Sequence, residues 1–436
     1  MFKRSNYNTT IHFQNTFITY NSISDCFFEY KENEASIVEE IINSPNNTNL
    51  SPEYLKIRDS LISNGILINE EIDELSVLER KYYKWNNESE MLLTIALTPN
   101  CNFNCRYCFE DHSHKGEFNH DIENKIISFI AKNTKKNKRL MIDWYGGEPL
   151  LKYDLLCGLD KQISDISKKN GCDYSSSIST NGYLLKKDAV DNLIENTSVR
   201  SLRICLDGPP EIHDNYRPHK NGGGTFNTII ENIKYAVKHI KIKLRINLDK
   251  NNYQYIYKLI YILKKSGLQG SNLVISVKPI VSSRIRPRED ISFTLEEYST
   301  VEPTVKSYFI QEKLNFDVQK VNCAYCAVYH KNQYMIDWRG LIYKCTDTFN
   351  PDESIGLISD FGEVELNKDE WNKWTSYPGT VYDECRNCTV LPLCMGGCSF
   401  NRHIANKEFC SSIKYNLNKY IELYYLNRKG EEHFGN

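Results

Sequence analysis

The fifteen cysteines of this 436-residue chain are unevenly spread, and their spacing is the first sign of chemistry. Cys101, Cys105 and Cys108 fall on one tight stretch in the pattern C-x3-C-x2-C. Eight more lie between Cys323 and Cys410, and four stand alone at Cys26, Cys157, Cys172 and Cys205. Three thiolates on one loop can each ligate one iron of a cubane cluster, leaving the fourth iron open to a small molecule. A zinc knuckle is the competing chemistry. Structural zinc takes four ligands, and His112 or His114 would supply the fourth. The four lone cysteines sit among apolar residues and are expected to be small core side chains.

Such a loop needs a support. Residues 92–97 form a short apolar run closed by Thr98-Pro99, the pattern of a buried strand that empties into the cysteine loop. Further strands are expected at 140–144, 175–179, 201–206, 243–248 and 273–277, with helices at 121–133, 187–195, 225–239 and 253–266. Alternation of this kind argues for a parallel α/β architecture, in which chemistry sits at the C-terminal strand ends. The second strand ends in Gly146-Gly147-Glu148-Pro149, where glycines let backbone approach a ligand or make a tight turn. The third ends in Ser179-Thr180-Asn181-Gly182, an Asn-Gly turn by itself. The fourth ends in Leu206-Asp207-Gly208-Pro209. Asp207 is either a carboxylate facing the active site or a helix cap. Arg245 and Asn247, two apart on one strand, point the same way and are expected to face the barrel interior.

Taken together, C-x3-C-x-aromatic-C with Tyr107 as the aromatic, the GGEP element and the LDGP element resemble radical S-adenosylmethionine (SAM) enzymes. The resemblance implies a partial (β/α)6 barrel with a [4Fe–4S] cluster on Cys101, Cys105 and Cys108. SAM would chelate the open iron and yield a 5′-deoxyadenosyl radical. It also implies SAM contacts from Tyr107, Gly146, Gly147, Glu148, Ser179, Asn181, Arg245 and Asn247, with Asp207 binding SAM or accepting a substrate proton. The second cysteine field, Cys326-x13-Gly340-x4-Cys345, then Cys385-x2-Cys388-x5-Cys394-x3-Cys398, then Cys410, resembles the seven-cysteine SPASM domain. Cys323 adds an eighth thiol, and eight thiolates are the ligand set of two full four-iron clusters. By resemblance, Cys323, Cys326, Cys345 and Cys398 hold the cluster nearer the barrel, and Cys385, Cys388, Cys394 and Cys410 the outer one. Three [4Fe–4S] clusters are therefore expected.

Residues 1–90 read as a separate module. Two short strands, 10–13 and 16–20, flank Gln14-Asn15, a third follows at 26–30, and helices are expected at 34–43 and 53–64. Glu70 to Asn87 reads as a polar connection. The module resembles the winged-helix-like domain with which peptide-modifying radical SAM enzymes bind a precursor's leader as an added strand; an extension that only packs on the barrel is the alternative. The domain division is 1–90, 91–285 and 286–436, with a charged, proline-containing linker around 282–288 and a packing helix within 411–428.

The formal net charge of −2 argues against a nucleic-acid partner. No uninterrupted apolar run is long enough for a bilayer, and Met1 to Tyr7 lacks a signal peptide's apolar core, so a cytoplasmic protein is expected. The expected partners are a precursor peptide with a leader and an electron donor such as flavodoxin or ferredoxin. The expected function is modification of a ribosomally made peptide by thioether or carbon crosslinking. Formylglycine formation on a sulfatase-type protein substrate is the alternative. A non-enzymatic iron–sulfur electron carrier is the reading from another class.

Overall fold

The computed structural model describes residues 1–47, 51–110, 112, 116–281, 288–317, 325–405 and 409–434. Cys323, His114 and the 285/286 domain boundary lie outside them. The front of the chain holds β1 (Phe2–Arg4), β2 (Asn8–Phe13), β3 (Thr16–Asn21), β4 (Cys26–Lys31), α1 (Ala35–Asn43), α2 (Pro52–Ser63), β5 (Leu67–Asn69) and α3 (Glu74–Asn86). Strands β2, β3 and β4 form an antiparallel sheet, and the expected hairpin turns at Gln14, whose φ is +55°. Strands β1 and β5 pair with each other over only three residues, too short for a periodic signal.

The polar connection expected over 70–87 is instead mostly a helix. Asp73 caps α3 by accepting from the Leu75 amide at 3.2 Å, and Leu78 and Tyr82 repeat four apart on its buried face. Helix α3 also ties the front of the chain to its distal part. Tyr82 donates to the Tyr329 carbonyl at 3.3 Å, and Asn86 accepts from the Lys331 amide at 2.6 Å. High polarity hid this narrow apolar stripe.

The central elements are β6 (Glu90–Ala96), α4 (His120–Asn133), β7 (Arg139–Tyr145), α5 (Tyr153–Lys169), β8 (Asp173–Thr180), α6 (Lys187–Asn196), β9 (Val199–Cys205), α7 (Pro210–Tyr216), α8 (Phe226–Ala236), β10 (Lys241–Leu248), α9 (Ile256–Lys265) and β11 (Leu273–Pro279). After α10 (Leu295–Gln311) come β12 (Gln333–Ile336), β13 (Leu341–Tyr343), β14 (Gly356–Ile358) and β15 (Val364–Leu366). Six parallel strands stand in the order β11-β10-β9-β8-β7-β6, as six strand–helix units would place them. The sheet does not stop there. Strand β12 pairs parallel to β6, and β13 to β15 continue antiparallel, making one mixed ten-stranded sheet.

Alternation along each strand explains what the sheet encloses. In β7, Leu140, Ile142 and Trp144 are buried, while Met141, Asp143 and Tyr145 on the other face are half-buried. The same offset places Ser177 and Ser179 of β8, Arg203 and Cys205 of β9, and Arg245 and Asn247 of β10 on the inner face. That face is polar, so it lines a cavity rather than a dry core. Outside it, Asp160 of α5 anchors helix to sheet, accepting from Trp144 Nε1 at 3.0 Å, the Tyr174 hydroxyl at 2.8 Å and the Ser198 amide at 2.6 Å. The last helix, Leu417–Phe434, returns to the front sheet, where Tyr420 and Ile421 pack with Ile11, Ile18 and Tyr20. Among the described residues no helix is long and apolar enough to cross a membrane.

Candidate active site

A cavity of about 680 Å3 opens at the C-terminal ends of the parallel strands, with Cys101, Cys105 and Cys108 on its wall. The cysteine loop is held from two sides. On one, the Asn104 amide donates to the Pro218 carbonyl at 2.9 Å, and the Arg106 amide to Tyr216 at 2.9 Å. On the other, the amides of Gly147 and Glu148 donate to the carbonyls of Thr98 and Asn100, both at 2.9 Å. Only glycine permits this clamp. Gly146 has φ +118°, and a Cβ there would stand 2.5 Å from the Thr98 carbonyl oxygen; one on Gly147 would overlap Asn100.

Burial pushes the thiols of Cys101 and Cys108 each up to about 12. All three thiols lie within charge–charge range of one another. Among the described residues, no three His, Cys, Asp or Glu side chains converge where a single metal ion could sit. His112 does approach Cys108, its Nε2 3.4 Å from the sulfur, with Nδ1 donating to the Pro99 carbonyl at 2.7 Å. A cubane takes one thiolate per iron, so it asks for three thiols around a shared volume, and the donor set fits.

Tyr107, Gly146, Gly147, Ser179, Asn181, Arg245 and Asn247 all line the same cavity, so seven residues from three strands and the loop meet there. Glu148 and Asp207 do not line it; both are completely or almost completely buried behind it. The Glu148 carboxylate accepts from the Thr180 hydroxyl at 2.7 Å and the amides of Asn181 at 2.7 Å and Leu150 at 3.0 Å. It therefore locks the third strand end to the second. Asp207 accepts from the Asn247 amide at 2.8 Å and side chain at 3.1 Å and from the Tyr107 hydroxyl, with Arg217 3.8 Å away. Burial raises the pKa of both carboxyls. Arg217 also donates to the Tyr107 hydroxyl at 2.6 Å, closing a knot that joins loop, fourth strand end and fifth strand.

Several lining residues escaped sequence reasoning. Arg203 donates to Asp143 at 3.0 Å and to Ser179 at 2.7 Å across the inner face of the sheet. The alternation of Asp143 and Arg203 with apolar neighbours was the available signal. Cys205, expected in the core, lines the cavity instead, because it shares the inner face with Arg203. Cys172 is buried as expected, whereas Cys26 and Cys157 are half-buried. Glu110 lines the cavity with its carboxyl pushed up to about 8 by burial and then by neighbouring Glu148. Thr346 to Asn350, with Phe400, Asn401 and Ala405, complete the wall from the distal part of the chain. There Tyr145 stacks on Phe349, rings 6.4 Å apart and 27° from parallel.

The Radical SAM superfamily model matches residues 95–260. That segment is a radical SAM domain, and the chain is an enzyme. The cysteine-type anaerobic sulfatase-maturating enzyme of Clostridium novyi (strain NT) is 25% identical to it over 364 residues, covering 75% of this chain and 94% of that one. Native anSMEcpe with bound AdoMet and Kp18Cys peptide superposes with a TM-score of 0.63 at 16% identity, covering 79% of this chain and 99% of that chain. Streptococcus suis SuiB bound to precursor peptide SuiA gives 0.52 at 17%, covering 95% and 99%. At these identities the structural likenesses are likenesses of fold.

The distal thiols form two groups. Cys345 and Cys398 lie within charge range of each other and of Cys326. Cys394 lies likewise near Cys385, Cys388 and Cys410.

Proposed function

We propose that this radical SAM enzyme modifies a ribosomally synthesised peptide, forming a thioether or carbon crosslink. The carrying observation is the front module. The sulfatase-maturating structure, though the closer superposition, covers 79% of the chain, whereas the peptide-bound SuiB fold extends over 95%. Docking of a leader on the three-stranded sheet would hold the core peptide near the cavity mouth at high effective concentration.

Cys101, Cys105 and Cys108 would hold the open cluster, and Tyr107, Gly146, Gly147, Ser179, Asn181, Arg245 and Asn247 would surround SAM. With SAM bound, the cluster supplies a 5′-deoxyadenosyl radical that can take a hydrogen atom from an unactivated carbon. The protein's part is orientation and exclusion of water. Glu148 and Asp207 act as positioning residues, the first fixing Asn181 and the second fixing Tyr107 and Asn247. Asp347 lines the cavity and would be the carboxyl for receiving a substrate proton, while Glu110, pushed up to about 8, would hold its own. Cys326, Cys345 and Cys398, with Cys323, would hold one auxiliary cluster, and Cys385, Cys388, Cys394 and Cys410 the other. A flavodoxin or ferredoxin would deliver the electrons.

Formylglycine formation on a protein substrate is the second reading, favoured by the names of the curated relatives. Mass spectrometry separates them. Anaerobically reconstituted enzyme, SAM, dithionite and a short peptide encoded beside its gene should yield 5′-deoxyadenosine and a peptide lacking two hydrogens, its fragment ions interrupted between two joined residues. An aldehyde-bearing product that labels with hydrazide, from a sulfatase-type peptide, would transfer the conclusion to the second reading.

A further inference from the structure

The two distal thiol groups differ in the charged side chains beside them. Beside the outer group, Arg402 Nη2 lies 3.4 Å from Cys385 Sγ and donates to the Gly396 carbonyl at 3.2 Å, while Nη1 meets Glu384 at 2.9 Å. The guanidinium carbon lies over two rings, 3.8 Å from the Tyr382 centroid and 3.6 Å from that of Phe409, and its side chain is only 7% exposed. Its Nε is buried without a hydrogen-bond partner. Lys414 Nζ lies 3.7 Å from Cys410 Sγ, in an exposed position. Beside the inner group the near charge is an anion, Asp347, within range of Cys326, Cys345 and Cys398. Lys344, near Cys326, donates its Nζ to the carbonyls of His330 at 2.8 Å and Gln333 at 2.9 Å, and burial holds its pKa well below the usual lysine range.

We propose that Arg402 raises the reduction potential of the outer four-thiolate centre, with Lys414 adding a smaller, screened share. This rests on the reading of those thiols as cluster ligands. Reduction places one more negative charge on a centre and its sulfurs. A buried cation that also sends an N–H to a ligand sulfur favours that reduced form, and low local polarity enlarges the effect. Glu384 offsets little, because its side chain is 56% exposed and screened by water. The site calls for arginine in particular. A planar guanidinium fills the slot between two rings and still directs N–H groups edge-on to sulfur and carbonyl, which an ammonium cannot do.

The test is an EPR-monitored redox titration of the full-length reconstituted protein, with iron and sulfide counted for each sample. Arg402→Gln should shift the outer centre's reduced-to-oxidised ratio at least tenfold at fixed potential, a fall of about 59 mV, while the other centres stay in place. Arg402→Lys should fall between. Lys414→Gln should move it less, and high salt should erase that smaller shift. An unmoved outer potential in Arg402→Gln with full iron would overturn the proposal. So would loss of about four irons from both Arg402 variants, which would make the residue a scaffold. Wild-type protein lacking the outer centre's irons would overturn the ligand reading as well, and the iron count separates that outcome before any variant is titrated.

Discussion

Replacing Gly146 with alanine probes the clamp on the cysteine loop with one added methyl group. At φ +118° an alanine is strained, by about 1–2 kcal/mol. Its Cβ would also stand 2.5 Å from the Thr98 oxygen, about 0.9 Å inside ordinary contact, with Thr98 N at 3.2 Å behind it. Both atoms are backbone, so the strand end and loop must shift by roughly that amount. A misplacement near 1 Å at a reacting centre costs about a hundredfold in rate. The three thiols survive the change. Gly146→Ala should therefore retain its proximal iron yet form 5′-deoxyadenosine about a hundredfold more slowly, as read by anaerobic chromatography at saturating SAM. Gly158→Ala is the control: nothing stands within 4 Å of its added Cβ, and a helical alanine is favoured by about 1 kcal/mol. A Gly146→Ala enzyme turning over at the wild-type rate would refute the view that close backbone approach positions the site.

Alanine at Cys101, Cys105 and Cys108 together should remove about four irons per chain and abolish 5′-deoxyadenosine formation; unchanged SAM cleavage would move the cluster elsewhere. Asp160→Ala strands buried donors of Trp144, Tyr174 and Ser198, and should cost more than about 3 kcal/mol in urea unfolding of the metal-free protein, with Asp160→Asn recovering part. His213 is fully buried, accepts from the Asp207 amide at 3.2 Å, and has its pKa depressed by burial and then by Arg217. Below about pH 6.5 the unfolded chain takes a proton that the native ring refuses, so stability falls with pH by about 1.4 kcal/mol per unit. His213→Gln, which keeps an acceptor, should show a shallower slope between pH 6.5 and 5.5; an identical slope would place the titration elsewhere.

Much of the cavity's lining was legible because its residues come at fixed local spacing. Cys101, Cys105 and Cys108 lie within one turn-rich stretch, and Gly146-Gly147 marks a strand end by composition alone. Period-two alternation likewise exposed the six parallel strands and placed Arg245 and Asn247 on the inner face. What the tertiary structure decided is non-local. No spacing indicates that β12 pairs with β6 and extends the sheet, since a strand partner more than two hundred residues away is chosen by shape and burial. The turning of Glu148 and Asp207 away from the cavity was equally hidden. Whether a carboxylate faces a ligand or a neighbouring strand depends on which donors packing brings within 3 Å, and those donors, the Thr180 hydroxyl and the Asn247 amide, come from other strands. Arg402 is the clearest case. In the sequence it is one charge in a polar run, and only the fold presses it between Tyr382 and Phe409 and against the sulfur of Cys385.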